Sequence, residues 1–444
     1  MGRERLVFKK IKQDYPGLVW CLDNMDDSCR IVAESFAEGL AKTPEKKIFA
    51  WYGDVDHEGV MKSKYLNDKE HVIPINEDLK KISKWSDDQG AGSNLVPSSS
   101  RIKVGLLGAR GYVGREFAKL LGKHPDLELT SASSRALAGL RVVDCFGLDK
   151  SDTKIGIGSD LRFETVEPED FAKLTSSQEV ELWVLALPNG LAPRFLELLT
   201  DQPRLMIDLG ADFRFDDTWT YGLPERPGAR EKLAKATRIS NPGCYATGAQ
   251  VGLMPLLQPK VGNSAVKVAD GVPSVFGVSG YSGAGTSPSP KNDPKCLNDN
   301  LMPYTLTNHI HEREATRHLG SQIAFMPHVA PFFQGISLTI TLYLERKENG
   351  EFPTAEEVAE YYGEYYKDEP LIQVNLDPKD IPNVRDVMFK HHVVVGGFNV
   401  DPKTGRLVVI SLIDNLLKGA ATQALQNINI ALGVDELCGI RESS

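Results

Sequence analysis

The chain has 444 residues, 41% of them hydrophobic and 25% charged, and a formal net charge of −9. This composition fits a globular protein of two or three domains with enough apolar surface for full cores. The acidic balance argues against a nucleic-acid or acidic-membrane binder, and no apolar run reaches the roughly 18 residues of a membrane span. Six cysteines (Cys21, Cys29, Cys145, Cys244, Cys296 and Cys438) are scattered without CxxC spacing. That pattern suits a reducing compartment and offers no zinc site, so no metal is expected. No secretory signal and no Arg- and Ser-rich presequence is expected at the N-terminus.

Residues 1–85 carry short apolar pieces, Leu18-Val19-Trp20 and Ile48-Phe49-Ala50-Trp51-Tyr52, too few for an independent core. Residues 86–100 are rich in Gly, Ser and Asp and read as a linker. The pattern then changes. Residues 102–107, 127–132, 180–187 and 205–209 are apolar strands, and residues 113–121 and 191–199 are helices between them. Alternating strands and helices predict an α/β, doubly wound, Rossmann-type domain over residues 101–243.

Between the first strand and first helix lies Gly108-Ala109-Arg110-Gly111-Tyr112-Val113-Gly114. With Gly105 it spaces glycines as G-x-x-G-x-x-G. Glycine permits the tight turn, backbone N–H groups approach a pyrophosphate, and the helix start favours its charge. Gly108, Arg110, Gly111, Tyr112, Val113 and Gly114 are therefore candidate dinucleotide contacts. After the second strand an acidic residue would bond a ribose 2′-OH. Here the chain reads Ser131-Ala132-Ser133-Ser134-Arg135. The hydroxyls of Ser133 and Ser134 and the guanidinium of Arg135 suit a 2′-phosphate, which predicts NADP.

Further on, Ser240-Asn241-Pro242-Gly243-Cys244 precedes the apolar stretch through Val251, Leu253 and Leu257. That stretch predicts a helix with Cys244 at its N-terminus. Unpaired N–H groups and the helix dipole there are expected to ease loss of the thiol proton and make a nucleophile. A buried, inert cysteine is the alternative. The second half reads as an α+β domain over residues 244–412. Residues 336–344 alternate apolar and polar with Val393-Val394-Val395 and 407–413 as partner strands, and residues 354–366 and 415–432 are predicted helices. His309 and His311 share a face on a strand but not on a helix, and no third ligand for a metal accompanies them. Arg214, Arg313 and Arg317 are candidate anion clamps. Asp208 and Asp212 either orient Arg214 or cap a turn. Lys418 either meets the cofactor or lies on a helix surface.

Taken together, residues 101–444 resemble N-acetyl-γ-glutamyl-phosphate reductase, a relative of aspartate-semialdehyde dehydrogenase. The likeness rests on the glycine turn, on Asp208-Leu209-Gly210-Ala211-Asp212-Phe213-Arg214, on Tyr221-Gly222-Leu223-Pro224-Glu225, on Asn241-Pro242-Gly243-Cys244-Tyr245-Ala246-Thr247, on Ser279-Gly280-Tyr281-Ser282-Gly283-Ala284-Gly285, on His309-Ile310-His311, and on 414–424 (DNLLKGAATQA). The resemblance implies a Rossmann-type domain, an α+β catalytic and oligomerisation domain, and a C-terminal segment, 413–444, that returns to the cofactor. It also implies NADPH, an acyl-phosphate substrate and a homo-oligomer, dimer or tetramer. It makes Cys244 and His309 catalytic. It places Pro188, Gly283, Asn415, Lys418 and Gly419 beside the cofactor, and Arg214, Asn241, His311 and Gly280 beside the substrate.

Two positions depart from the family pattern: Thr286 and Gln334 stand where arginines are common. The departures are similar to the fungal form, made with acetylglutamate kinase as one mitochondrial precursor. That likeness implies a mitochondrial matrix location and an acetylglutamate kinase complex, and it makes residues 1–85 an arm or a partial acetyltransferase-like segment. The implied chemistry is displacement of phosphate by the Cys244 thiolate, reduction of the thioester, and release of N-acetylglutamate 5-semialdehyde. The competing readings are aspartate-semialdehyde dehydrogenase and an NADP-binding regulatory subunit of a kinase.

Overall fold

The computed structural model describes residues 101–147, 156–259 and 266–440; the expectations for residues 1–85 and the linker lie outside them. Two sheets organise the described residues. The first is six-stranded and all parallel, in the order β2-β1-β3-β4-β6-β5. Its strands are β1 (Ile102–Leu107), β2 (Leu127–Ser133), β3 (Leu182–Leu185), β4 (Leu205–Asp208), β5 (Thr220–Tyr221) and β6 (Arg238–Ser240). β3 and β4 are buried along their whole length, as strands covered on both faces must be. Helix α1 (Tyr112–Gly122) follows β1 and turns Phe117, Ala118, Leu120 and Leu121 inward, and helix α2 (Pro168–Ser176) precedes β3 and packs Phe171 on Trp183. Trp183 of β3 lies where a Cβ on Gly105 would sit, 2.3 Å away. The first glycine of the series therefore serves strand packing, and the later ones form the turn.

The second sheet has seven strands in the order β11-β12-β13-β10-β7-β9-β8 and mixed directions. They are β7 (Ser274–Gly280), β8 (Met302–Pro303), β9 (Ala324–Ala330), β10 (Ile336–Tyr343), β11 (Ile372–Val374), β12 (Val393–Val400) and β13 (Arg406–Ile413). β10 pairs antiparallel with β13 from Ile336–Ile413 to Tyr343–Arg406, and β12 pairs with β13, as the alternation predicts. β7 and β9 run parallel, joined by a crossover that carries helix α4 (Ile310–Leu319).

Helix α3 (Cys244–Leu257) is the core of this second lobe, with every residue from Tyr245 to Leu256 buried. A helix apolar on all sides must be enclosed. Gly248 and Gly252 let Leu338 and Ile340 of β10 pack against its backbone. Pro255 sits inside α3 and cannot donate to the carbonyl one turn back. Tyr366 of helix α5 (Ala355–Tyr366) donates its hydroxyl to that Val251 carbonyl at 2.6 Å. The last helix, α6 (Thr422–Leu432), leaves this lobe, and its Ala424, Leu425 and Ile428 join the core of the first.

Candidate active site

A cleft of about 860 Å³ runs from the glycine turn to the start of α3. At one end it is lined by Gly108, Arg110, Gly111, Tyr112, Val113 and Gly114. Gly108 has φ +76°, and a Cβ there would meet the Ala186 carbonyl at 2.2 Å. Gly111 caps α1 without a side-chain hydrogen bond, and the first turn holds no acid. A Cβ on Gly111 would meet only the Gly108 carbonyl, at 3.5 Å. Open space above an uncapped helix start suits a phosphate, so these residues fit a dinucleotide.

Ser133, Ser134, Arg135 and Pro188 line the same cleft. Arg135 is exposed and pairs with Glu167, whose two carboxylate oxygens accept from Nη2 at 2.8 and 2.9 Å. Ser133 Oγ accepts from the Val166 amide, which leaves its own proton free to donate.

The far end holds Arg214, Gly243, Cys244, His311, Gly283, Thr286, Asn415 and Gly419. Cys244 opens α3, with Gly243 as cap. The expected ease of ionisation meets an opposing force. Burial pushes the thiol up to about 11, and Glu314 adds to the rise, against the opposing pull of the Tyr245 N–H and Arg214. Removal from water here outweighs the helix start.

Glu314 organises this end. It is fully buried on α4 and accepts from Arg214 Nη1 at 2.9 Å, from the Tyr221 hydroxyl at 2.8 Å and from the Gly243 amide at 2.8 Å. Arg214 also donates to the carbonyls of Asn241 and Leu209. It borders the cleft as a clamped cation with part of its donor set already used. Asp212 caps the turn at Gly190 and Ala192. Asp208 accepts from Gly210 N–H, and burial raises its carboxyl to about 6. Neither aspartate hydrogen-bonds Arg214.

The two histidine rings pack edge to face, with centroids 5.0 Å apart, but only one of them borders the cleft. His309 is the N-cap of α4, its Nδ1 accepting from the His311 amide at 3.1 Å, and its ring packs against Tyr304 and Phe325. It is absent from the cleft lining, and burial takes it down to about 4. His311 does line the cleft. Its Nε2 lies 2.3 Å from where a Gly243 Cβ would sit, so any side chain before the cysteine would displace His311 and Arg214. Burial holds His311 well below the usual imidazole range, neutral, and its Nδ1 has no hydrogen-bond partner among the described residues.

Other expected contacts are redistributed. Lys418 reaches neither the cofactor cleft nor a helix surface. It is fully buried, and its ammonium donates to Glu225 at 2.7 Å, Gln423 at 2.6 Å and Gln426 at 2.5 Å. All three of its donors are spent. Asn241 is buried too: its amide donates to the Ala420 carbonyl, and its side-chain oxygen accepts from Asn427. Gly280 admits the backbone of Phe333 and Gln334, whose atoms a Cβ would meet at 2.5 Å, and does not line the cleft. Gln334 is buried and donates to Asp414, so it does not present itself to an anion. Sequence reasoning misses Glu314 and Glu167, and it meets Glu225 only as the end of the 221–225 stretch, without a role. Glu314 carries a readable signal, since it falls three residues after His311 on the same helical face.

Two matched family models divide the chain as the two sheets do: residues 103–236 match the NAD-binding domain of semialdehyde dehydrogenases, and residues 244–415 match their dimerisation domain. The fold agrees with solved structures. Aspartate semialdehyde dehydrogenase II of Vibrio cholerae superposes over 76% of this chain and 99% of its own, with TM-score 0.56 and 19% identity. The class is thus a two-lobed semialdehyde dehydrogenase with a nicotinamide-dinucleotide lobe.

Closer relatives narrow it. N-acetyl-γ-glutamyl-phosphate reductase of Xanthomonas campestris is 46% identical over 76% of this chain and 98% of its own length. Protein arg11, mitochondrial, of Schizosaccharomyces pombe is 48% identical over 77% of this chain and 36% of its own. Protein ARG5,6, mitochondrial, of Candida albicans is 39% identical over 99% of this chain and 50% of its own. The chain belongs to the N-acetyl-γ-glutamyl-phosphate reductase family. It spans between about a third and a half of the length of the curated fungal relatives it matches.

Proposed function

We propose that this protein uses NADPH to reduce N-acetyl-γ-glutamyl phosphate to N-acetylglutamate 5-semialdehyde and phosphate, in arginine biosynthesis and in the mitochondrial matrix. The observation that carries the reading is one cleft lined by the glycine turn, Arg135, Cys244 and His311 together. The mitochondrial names of the fungal relatives support the location, and no helix of the described residues is long and apolar enough to cross a membrane.

In this reading Cys244 Sγ attacks the acyl carbon, the carbon–oxygen bond to phosphate breaks, and a thioester forms. The thiol proton goes to His311, whose neutral ring borders the same cleft and turns its Nε2 toward Gly243. His311 takes the part that the family likeness gives to His309. NADPH, when bound on the glycine turn, supplies the hydride that reduces the thioester carbon. As the carbon–sulfur bond then breaks, His311 returns the proton to sulfur, and the released phosphate takes the one further proton the reaction consumes from water. Arg214, held by Glu314, offsets negative charge beside Cys244, and Arg135 releases Glu167 to take the 2′-phosphate.

A homo-oligomer belongs to the same proposal. Along β10, Ile336, Leu338, Ile340 and Leu342 are buried, while Ser337, Thr339 and Thr341 are half-buried and Tyr343 is exposed. Phe276 on β7 is exposed as well. This sheet face suits a second copy, and acetylglutamate kinase is the expected heterologous partner.

The test is the reverse reaction: NADPH formation from N-acetylglutamate 5-semialdehyde, dependent on both NADP and phosphate. Preference for aspartate semialdehyde would replace the reading with the dehydrogenase that shares the fold. Tight kinase binding without turnover would replace it with a regulatory subunit.

A further inference from the structure

Between β13 and α6 the chain does not run as an ordinary helix. Leu417–Ala421 forms a π-helical turn, in which the Gly419 amide donates to the Asp414 carbonyl at 2.8 Å and the Ala421 amide to Leu416 at 2.9 Å. Such turns are rare and concentrate at functional sites. This one has two opposed neighbours in consecutive residues. A Cβ on Gly419 would lie 2.8 Å from Cys244 Cβ, so the turn's backbone backs directly onto the cysteine. The preceding Lys418 sends its ammonium the other way, into Glu225, Gln423 and Gln426.

The web continues. Gln423 donates to Asn427, Asn427 to Asn241, and Asn241 back to the Ala420 carbonyl of the same turn. The loop therefore closes three residues before Cys244. Burying a lysine with a carboxylate is costly to begin with, and removing one partner strands the other.

We propose that Lys418 is a positioning residue for Cys244: its buried ion pair with Glu225 fixes the π-turn, and the turn fixes the thiol's place in the cleft. The inference rests on Cys244 being the nucleophile.

The experiment uses the full chain with Lys418→Met and Glu225→Gln combined, so that no charge is left unpaired. The expected result is a fall of roughly 10- to 100-fold in kcat, the scale of a thiol misplaced by about 1 Å. KM for NADPH should stay within about twofold, and iodoacetamide should modify Cys244, followed by mass spectrometry, at a changed rate and with a shifted pH profile. A lower melting temperature with unchanged kcat and unchanged Cys244 alkylation would overturn the proposal, since a purely structural lysine predicts that. If the double variant does not fold, Gln423→Leu removes one acceptor and keeps the ion pair. It should show the same split between kcat and KM at smaller size, and wild-type kinetics there would equally overturn it. Cys244→Ser runs alongside: full activity in that variant would remove the nucleophile reading itself, whatever Lys418 does.

Discussion

The two ends of the cleft are made differently. The glycine turn is local: seven consecutive residues supply the positive φ at Gly108, the uncapped start of α1 and the close contact with Ala186 just after β3. The cysteine end is assembled from distant segments, with Arg214, Glu314, His311 and the 414–419 turn meeting at residues 243–244. A site made of backbone depends on shape, which glycine spacing encodes. A site made of side chains depends on charges brought from afar, and its protonation states follow from burial. The thiol lies high and the histidines low chiefly through burial, with neighbouring charges adding to it: Glu314 for the thiol, Lys291 for His309 and Arg214 for His311.

This contrast can be broken most forcefully at Cys244. Replacing it by Ala should cut turnover by about 10⁴-fold or more, as loss of an enzymatic nucleophile does, while NADPH binding followed by fluorescence titration stays near wild type. Loss of binding as well would mean that the two ends are not separable.

The histidines come next. His311→Asn should lower kcat by roughly 10²- to 10⁴-fold, the range for a general acid–base. His309→Asn keeps an N-cap acceptor for α4 and should cost less than about tenfold. Steady-state kinetics of the pair decides, and the reverse ranking would return the proton-transfer role to His309.

A pH series sharpens the electrostatic half of the comparison. Burial raises the Cys244 pKa to about 11, so in the ligand-free protein the thiolate fraction should climb about tenfold per pH unit. Alkylation should therefore speed up about 100-fold from about pH 7 to about pH 9 without levelling off. A plateau near neutrality would show that the helix start wins after all.

The smallest effect belongs to the backbone end. Arg135→Ala should weaken NADPH by about tenfold and leave NADH nearly unchanged in KM. A charge-assisted bond contributes about 1.5–3 kcal/mol, and release of Glu167 offsets part of it. Equal weakening of both cofactors would make Arg135 a loop support.

The same contrast explains what the sequence discloses. β1, the glycine turn and α1 are legible because period, glycine spacing and strand–turn–helix order are all local. β10 and β13 are legible because one of their faces is buried. β7 and β9 escape notice: Gly277 and Gly280 in the one, Pro327 in the other, blur a strand pattern that pairing then enforces. At the site, Cys244 is legible from Pro-Gly before and a helix after, but its protonation is not, because Glu314 and Arg214 are far apart in sequence. Lys418 reads as a surface or cofactor lysine until Glu225, 193 residues earlier, is seen beneath it.

The return of α6 also bears on how the polypeptide reaches this state during synthesis. The first lobe's core takes in Leu371 as well as Ala421, Ala424, Leu425, Ile428 and Ile440, which the ribosome delivers after nearly the whole second lobe. A nascent chain ending at residue 243 has β1–β6 complete, but the core cluster that holds Leu121, Leu205 and Ile239 still lacks those members. The core of the dinucleotide lobe is therefore complete only once residues 421–440 have been synthesised, so this lobe does not close as a free-standing unit ahead of the second.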